Sequence, residues 1–156
     1  MTNLNIRPAK PEDWPIIQKL NAEVFANDRD HDVFINCDWP NSKAGQEYYR
    51  TVCSRPDKHF TVIAYVSGIP MGYLTASKKD LDYRSNLPLE INNMGVSPAH
   101  RSRGIGKLLV DHTKAWAKTN GFTHLYVEAY SQNTRAHNFY QKMGMTTTSI
   151  SFEGKL

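Results

Sequence analysis

Residues 100–109, HRSRGIGKLL, set Arg101, Arg103 and Lys107 around Gly104 and Gly106, between an apolar stretch that reads as a strand and one that reads as a helix. A helix N-terminus leaves its first amides without intrachain partners and carries partial positive charge, so it takes phosphate readily where nothing bulky blocks the approach. The two glycines supply the bare approach and the three cations can offset a diphosphate or a ribose phosphate. Two familiar phosphate loops do not fit. A Walker A loop needs glycine and Ser/Thr where Arg101 and Leu108 stand. A dinucleotide fingerprint needs glycine at Leu109.

The elements that must position this turn follow from pattern. A strand over Leu4–Arg7 is followed by PEDWPIIQKLNAEVF, where Pro11 and two early carboxylates open a helix with Ile16, Ile17, Leu20, Val24 and Phe25 as its apolar positions. After the polar stretch ANDRDHDVFINCDWPN, a second helix runs from Ser42 to about Cys53. HFTVIAYV and IPMGYLTASKK flank Ser67-Gly68, a hairpin signal. A strand covers Leu89–Val96. The helix from near Gly104 carries Leu108, Leu109, His112, Ala115 and Trp116 on one stripe, which makes His112 a core residue, and ends at Asn120-Gly121. HLYVEAY then reads as a strand, NTRAHNFYQKMG as a helix and MTTTSISF as a last strand. His100 and His137 fall on exposed positions. The order β-α-α-β-β-β-α-β-α-β predicts an α/β fold: one domain over residues 1–156, with a mixed, mostly antiparallel sheet of about six or seven strands and helices on both faces.

Composition narrows the function classes. A chain of 156 residues makes one domain with a real core. No apolar run approaches the ~20 residues that span a bilayer, and the N-terminus lacks the apolar core of a secretory signal, so cytoplasmic residence without membrane association is the expectation. Cys37 and Cys53 have no metal-ligand spacing and suit a reducing compartment. A net charge of +4 suits an anionic ligand, and its clustering at one turn argues against a nucleic-acid partner.

The pattern Arg101-Ser102-Arg103-Gly104-Ile105-Gly106, entered from MGVSP and continued by KLL, resembles the acetyl-CoA-binding motif of the GNAT superfamily of N-acetyltransferases. NTRAHNFYQKMGM is similar to that family's Asn-x-x-Ala-x-x-Phe-Tyr-x-x-x-Gly-Phe signature, with Met145 where phenylalanine is usual. With the element order, the likeness covers essentially the whole chain and is most specific over residues 89–145. It implies acetyl-CoA as co-substrate, with no metal. Amides of Arg101, Ser102, Arg103, Gly104, Ile105 and Gly106 would bind the pyrophosphate, with Lys107 adjoining. Met94, Gly95 and Val96, on a strand splayed from its neighbour, would hold the pantetheine arm by their backbone. Asn133 would meet the cofactor at the start of the next helix, and Tyr140 would protonate the leaving thiolate. Many relatives dimerise, so a homodimer is compatible with the likeness.

Acetyl transfer to an amine needs an unprotonated nitrogen and an acid for the departing sulfur. Glu90 falls where some family members keep a glutamate base. Strict strand alternation puts Glu90, Asn92, Met94 and Val96 on one side, with Glu90 about 13 Å from Met94. The competing roles are a cross-strand ion pair for Glu90 and packing for Tyr140, which shares a stripe with Ala136, Phe139 and Met143. The resemblance makes ANDRDHDVFINCDWP and KKDLDYRSNLP the walls of the acceptor pocket. Asp28, Asp30, Asp32 and Asp38 would draw a cationic amine there, whether a small molecule such as a polyamine or aminoglycoside, or a peptide or protein amine. Phe34, Tyr83 and Trp39 could add an apolar wall. The alternative is an acyl-CoA-binding sensor without turnover.

Overall fold

The computed structural model describes residues 3–156. In chain order the elements are β1 (Leu4–Pro8), α1 (Trp14–Asp28), α2 (Lys43–Ser54), β2 (His59–Val66), β3 (Ile69–Lys78), β4 (Pro88–Val96), α3 (Ile105–Thr119), β5 (His124–Val127) and α4 (Thr134–Lys142), with short 3-10 turns at Pro11–Asp13, Trp39–Asn41 and Pro98–His100. The strands lie in sequence order, β1-β2-β3-β4-β5, antiparallel throughout except for the parallel β4–β5 pair. Ser67 (φ 50°) and Gly68 (φ 80°) make the tight β2–β3 turn, whose two positive φ angles match the right-handed twist of the flanking strands.

Each face of the sheet has its own core. Phe60, Val62, Ala64, Leu74, Ala76, Leu89 and Ile91 meet Ile105, Leu109 and Val110 of α3, with Phe139 of α4 packed beside them. On the opposite face Ile63 and Tyr73 meet Ile17 and Leu20 of α1 and Tyr49, Val52 and Cys53 of α2. The α1 helix approaches β4 closely at Gly95, where an added Cβ would stand 2.5 Å from Val24 Cγ2.

Three expectations are corrected. The sheet has five strands among the described residues, because MTTTSISF forms no ladder. Its alternation suits a strand, but a strand also needs an edge to pair with, and β5, at four residues, ends well short of the expected HLYVEAY. The stripe that α3 buries is Ile105, Leu109, Val110, Thr113 and Ala117, rotated from the expected one; His112 is exposed, with its ring 6.1 Å from that of Phe60. The third concerns β4. Thr75 pairs with Asn93 and Ala76 with Ile91, which leaves Asn92 as an extra residue. This bulge reverses the alternation. Leu89, Ile91, Met94 and Val96 share the α3 face, whereas Glu90 and Asn93 face α1 and α2. Glu90 therefore does not share a side with Met94 and Val96.

Candidate active site

The parallel ladder between β4 and β5 stops at Ile91 and Val127. From Asn93 to Val96, β4 keeps its β3 partner and, among the described residues, has no strand on the other side, so its outward backbone groups there, apart from the Val96 carbonyl held by Arg101, are free to pair with an extended ligand arm. At the far end of this free edge lies the glycine-containing turn. Arg101 N reaches Pro98 O at 3.4 Å, and the first helical bond of α3 runs from Leu108 N to Gly104 O at 3.0 Å. Among the described residues, no amide from Ser102 to Lys107 donates to a protein acceptor. Ser102 (φ 61°) and Gly104 (φ 81°) adopt left-handed conformations, and a Cβ at Gly104 would meet nothing within 4 Å, so the cradle opens outward. Gly106 lies deeper, where a Cβ would be 3.4 Å from Phe139 and 3.8 Å from the Met94 methyl. The start of α3, the free edge of β4 and α4 thus converge on one cleft.

The electrostatics of this end favour an anion. Arg101 donates through Nε to Val96 O at 3.0 Å and through Nη1 to Asn27 Oδ1 at 3.3 Å. Burial, and after it the charge of Arg135, pulls the Arg101 pKa below its usual value, so a nearby negative charge would relieve a cation held at some cost. Arg103 is exposed, and Lys107 is bound to Asp111 one turn along, Nζ to Oδ2 at 2.5 Å. Asn133 caps α4, its Oδ1 accepting from Ala136 N at 3.1 Å. That bond leaves its Nδ2 as the group available to a ligand.

Tyr140 lies on α4, its ring centroid 5.2 Å from that of Phe139, and among the described residues its hydroxyl has no protein partner. Burial, with the charge of Asp28 adding, pushes its pKa up to about 12, so it stays protonated and able to donate at neutral pH. Asp28 closes α1 on the cleft side, and burial raises its carboxyl above the ordinary value. Tyr130 Oη donates to Asp32 Oδ2 at 3.1 Å, and His31 stacks on Tyr130, so the loop after α1 reaches across to the segment after β5. Asp30 and Asp38 are exposed, whereas Asp28 and Asp32 are half-buried.

Glu90 sits on the paired part of β4, where its Oε1 accepts from Lys79 Nζ at 2.9 Å. Lys79 also lies 3.6 Å from Glu128 and over the Tyr126 ring. Cys53 is buried among apolar side chains, with its thiol pushed up to about 12, and Cys37 donates to Phe25 O. Trp39 stacks on Phe25 at 5.6 Å and, with Asn36, lines a shallow recess of about 270 Å³. Phe34 and Tyr83 are exposed. His100 and His137, expected outside, are half-buried; His137 Nε2 lies 2.9 Å from Tyr130 O. No group of three His, Cys, Asp or Glu residues is placed to hold a metal, and no helix is long and apolar enough to cross a membrane, among the described residues.

One group of residues escaped the sequence pattern. Asn21, Tyr49, Tyr73 and Asn93, from α1, α2, β3 and β4, form a connected polar cluster within the α1/α2 face. Its one available signal is Asn21 falling on the same helical stripe as Ile17, Leu20 and Val24, a polar residue on a core face that demands partners.

The sequence model of the acetyltransferase (GNAT) family matches residues 14–145. A streptothricin acetyltransferase of Streptomyces lavendulae is 37% identical over 59 residues, which is 38% of this chain and 31% of that protein. An uncharacterised N-acetyltransferase, YhdJ, of Bacillus subtilis strain 168 is 40% identical over 53 residues, 33% of this chain and 37% of that one. The matched stretch therefore spans about a third of each relative. Among solved structures, a mutant of the BH1408 protein of Bacillus halodurans superposes with a TM-score of 0.84 at 19% identity, covering 97% of this chain and 99% of that one. Aminoglycoside N-acetyltransferase AAC(6')-Iy, in a complex with CoA, superposes at 0.75 with 18% identity, covering 99% and 96%. At these identities the likeness is one of fold.

Proposed function

This chain belongs to the acetyltransferase (GNAT) family, and from that membership we propose that it is an N-acetyltransferase moving the acetyl group of acetyl-CoA directly onto a primary amine. The observation that carries the reading is the run of unbonded amides from Ser102 to Lys107 at the open end of the unpaired β4 edge. Those amides and Arg101 fit a diphosphate, and the backbone of Met94, Gly95 and Val96 fits the amide groups of a pantetheine arm. Acetyl-CoA is consumed in each turnover and supplies the activated acyl group. Asn133 Nδ2 faces the same ligand from α4.

In this reading the amine attacks the thioester carbon, the carbon–sulfur bond breaks, and the sulfur leaves with its electron pair to take a proton from Tyr140. Tyr140 suits that role because it is neutral and, among the described residues, its hydroxyl has no protein partner. Glu90 is the proposed acceptor of the ammonium proton, directly or through water. Cys53 is buried on the α1/α2 face, where its raised pKa keeps it a thiol, and the Cys37 thiol is bonded to Phe25 O, which favours direct attack over an acetyl-cysteine intermediate. Asp28 and Asp32 supply negative charge for a cationic acceptor. The streptothricin and aminoglycoside acetyltransferases among similar proteins support a small polar amine as acceptor class.

A second reading, an acyl-CoA sensor without turnover, is favoured by the bond from Lys79 to Glu90, which occupies the proposed base. Thiol release from acetyl-CoA separates the two. With a panel of spermidine, kanamycin, a streptothricin and a short peptide carrying a free amine, transfer predicts amine-dependent release with at least one member. Tight acetyl-CoA binding without release from any of them would overturn it in favour of the sensor.

A further inference from the structure

Four hydrogen bonds give the polar cluster on the α1/α2 face a direction. Tyr49 Oη has one partner, Asn21 Oδ1, at 2.6 Å, so the hydroxyl donates and the Asn21 oxygen accepts. That fixes which way the Asn21 amide faces. Its Nδ2 then donates to Tyr73 Oη at 2.7 Å and to Asn93 Oδ1 at 3.0 Å. Tyr73 Oη, already accepting from Asn21, donates its own proton to Asn93 Oδ1. Tyr49, Tyr73 and Asn21 are at most 1% exposed, and burial raises the pKa of both phenols, so both remain protonated donors. The chain of donors ends on the Asn93 oxygen, which receives two of them.

Turning the Asn93 amide over would set its NH₂ against the NH₂ of Asn21, so the orientation is locked with the nitrogen pointing away from the cluster. Asn93 itself is partly exposed, and among the described residues its Nδ2 has no protein acceptor and is not enclosed. It stands two residues past Ile91, the last β4 residue paired to β5, just beyond the bulge at Asn92. The bulge carries the side chain to the α1/α2 face, the side opposite the diphosphate cradle of α3. A buried network that spends four polar side chains to hold one amide donor toward open space, at the point where two strands separate, is an expensive arrangement for packing alone.

Resting on the acetyl-transfer reading above, we propose that Asn93 Nδ2 is a catalytic hydrogen-bond donor to the acyl oxygen, and that Tyr73 and Asn21 are positioning residues that aim it. As the amine forms its bond to the thioester carbon, the carbonyl π pair moves onto oxygen, and a donor fixed beforehand meets that charge without reorganising. When the pair returns, the carbon–sulfur bond breaks and the donor reverts to a weaker bond with the amide carbonyl of the product.

Asn93→Asp isolates the donor. An aspartate oxygen still accepts from Asn21 and Tyr73, so the cluster stays satisfied, but the outward group becomes an acceptor. With acetyl-CoA and the panel amine giving fastest release, this variant should lose about 100-fold in kcat, with KM for the amine and the calorimetric Kd for acetyl-CoA nearly unchanged. Tyr73→Phe keeps the packing and removes one of the two bonds that aim the amide, and should lose about 10-fold in kcat with the same unchanged constants. It keeps the question answerable if Asn93→Asp fails to fold. Tyr49→Phe, farther up the chain, should lower the melting temperature more than it lowers kcat. Parental kcat in Asn93→Asp or in Tyr73→Phe, or an effect confined to KM for the amine, would overturn the proposal and leave acetyl transfer standing. A wild-type protein that releases no thiol with any amine overturns the parent reading, and this proposal with it.

Discussion

The two faces of the sheet are made of different material. On the α3 face the candidate site is mostly main chain: free amides at residues 102–107, a positive φ at Gly104, and the unpaired edge of β4 over an aliphatic core. On the α1/α2 face it is side chain: the directed cluster ending at Asn93, the stacked Phe25–Trp39 pair, and the carboxylates Asp28 and Asp32. A main-chain site recognises what every backbone can recognise, phosphate oxygens and amide groups, and depends on glycine placement. A side-chain site is specific to its residues and to the register that aims them. In the proposed reading, acetyl-CoA occupies the first face and the acceptor amine the second.

Breaking the first face should give the largest effect. Gly104→Val adds a β-branched side chain at φ 81°, where such residues are strained, and fills the open approach to the amides. Acetyl-CoA affinity measured by calorimetry should fall on the order of 100-fold, or about 2.7 kcal/mol, and unchanged affinity would remove the turn from the site. Tyr140→Phe comes next. It should lower kcat roughly 10- to 100-fold and leave acetyl-CoA affinity alone, whereas equal turnover would return Tyr140 to a packing role. Gly95→Ala tests how closely α1 packs on β4, since its methyl would lie 2.5 Å from Val24 Cγ2 and push α1 off β4. A loss of about 1–3 kcal/mol in chemical denaturation is expected.

The smallest effect lies outside both sites. Arg7 Nη1 and Nη2 bond Asp13 Oδ2 and Oδ1 at 2.6 and 3.0 Å, and the Asp13 carboxyl, chiefly through that bond, sits below its usual pKa. Its folded value is depressed, so its contribution is present above the unfolded pKa, near 4, and is lost as the pH falls through the folded value. Asp13→Asn should cost about 1 kcal/mol at pH 7 and flatten the fall in melting temperature below about pH 4, with catalysis unchanged. An acid slope identical to the parent would show that the pair contributes nothing.

The contrast between the faces also decides what could be read from the sequence. Arg101, Gly104 and Gly106 were legible because a bare backbone at a helix start demands particular residues at fixed spacing, and the Ser67-Gly68 turn was legible for the same reason. Strand alternation failed at β4 because a bulge is one extra residue with no compositional mark; Asn92 and Asn93 look alike in sequence, yet only Asn93 joins the polar cluster. MTTTSISF failed because alternation specifies a strand's faces and not its partner. The α3 stripe was misphased by counting His112 and Ala115 inward when Thr113 faces the core, its hydroxyl satisfied by Leu109 O at 2.8 Å. Asn21, Tyr49 and Tyr73 come together from three separate elements, and no local pattern announces that meeting. For Glu90 the cross-strand ion pair was legible and is formed with Lys79, eleven residues earlier in the chain, whereas its side of the strand was not, because the bulge turns it away from Met94 and Val96.

The free amides at the start of α3 are the centre of the proposed site, and a crystal structure of the protein with CoA tests them most directly. Diphosphate oxygens should lie about 3 Å from amides between Ser102 and Lys107, with the pantetheine arm along Asn92–Val96 and the sulfur directed toward Tyr140. CoA bound elsewhere with that turn empty, or the turn closed over by its own side chains, would contradict it.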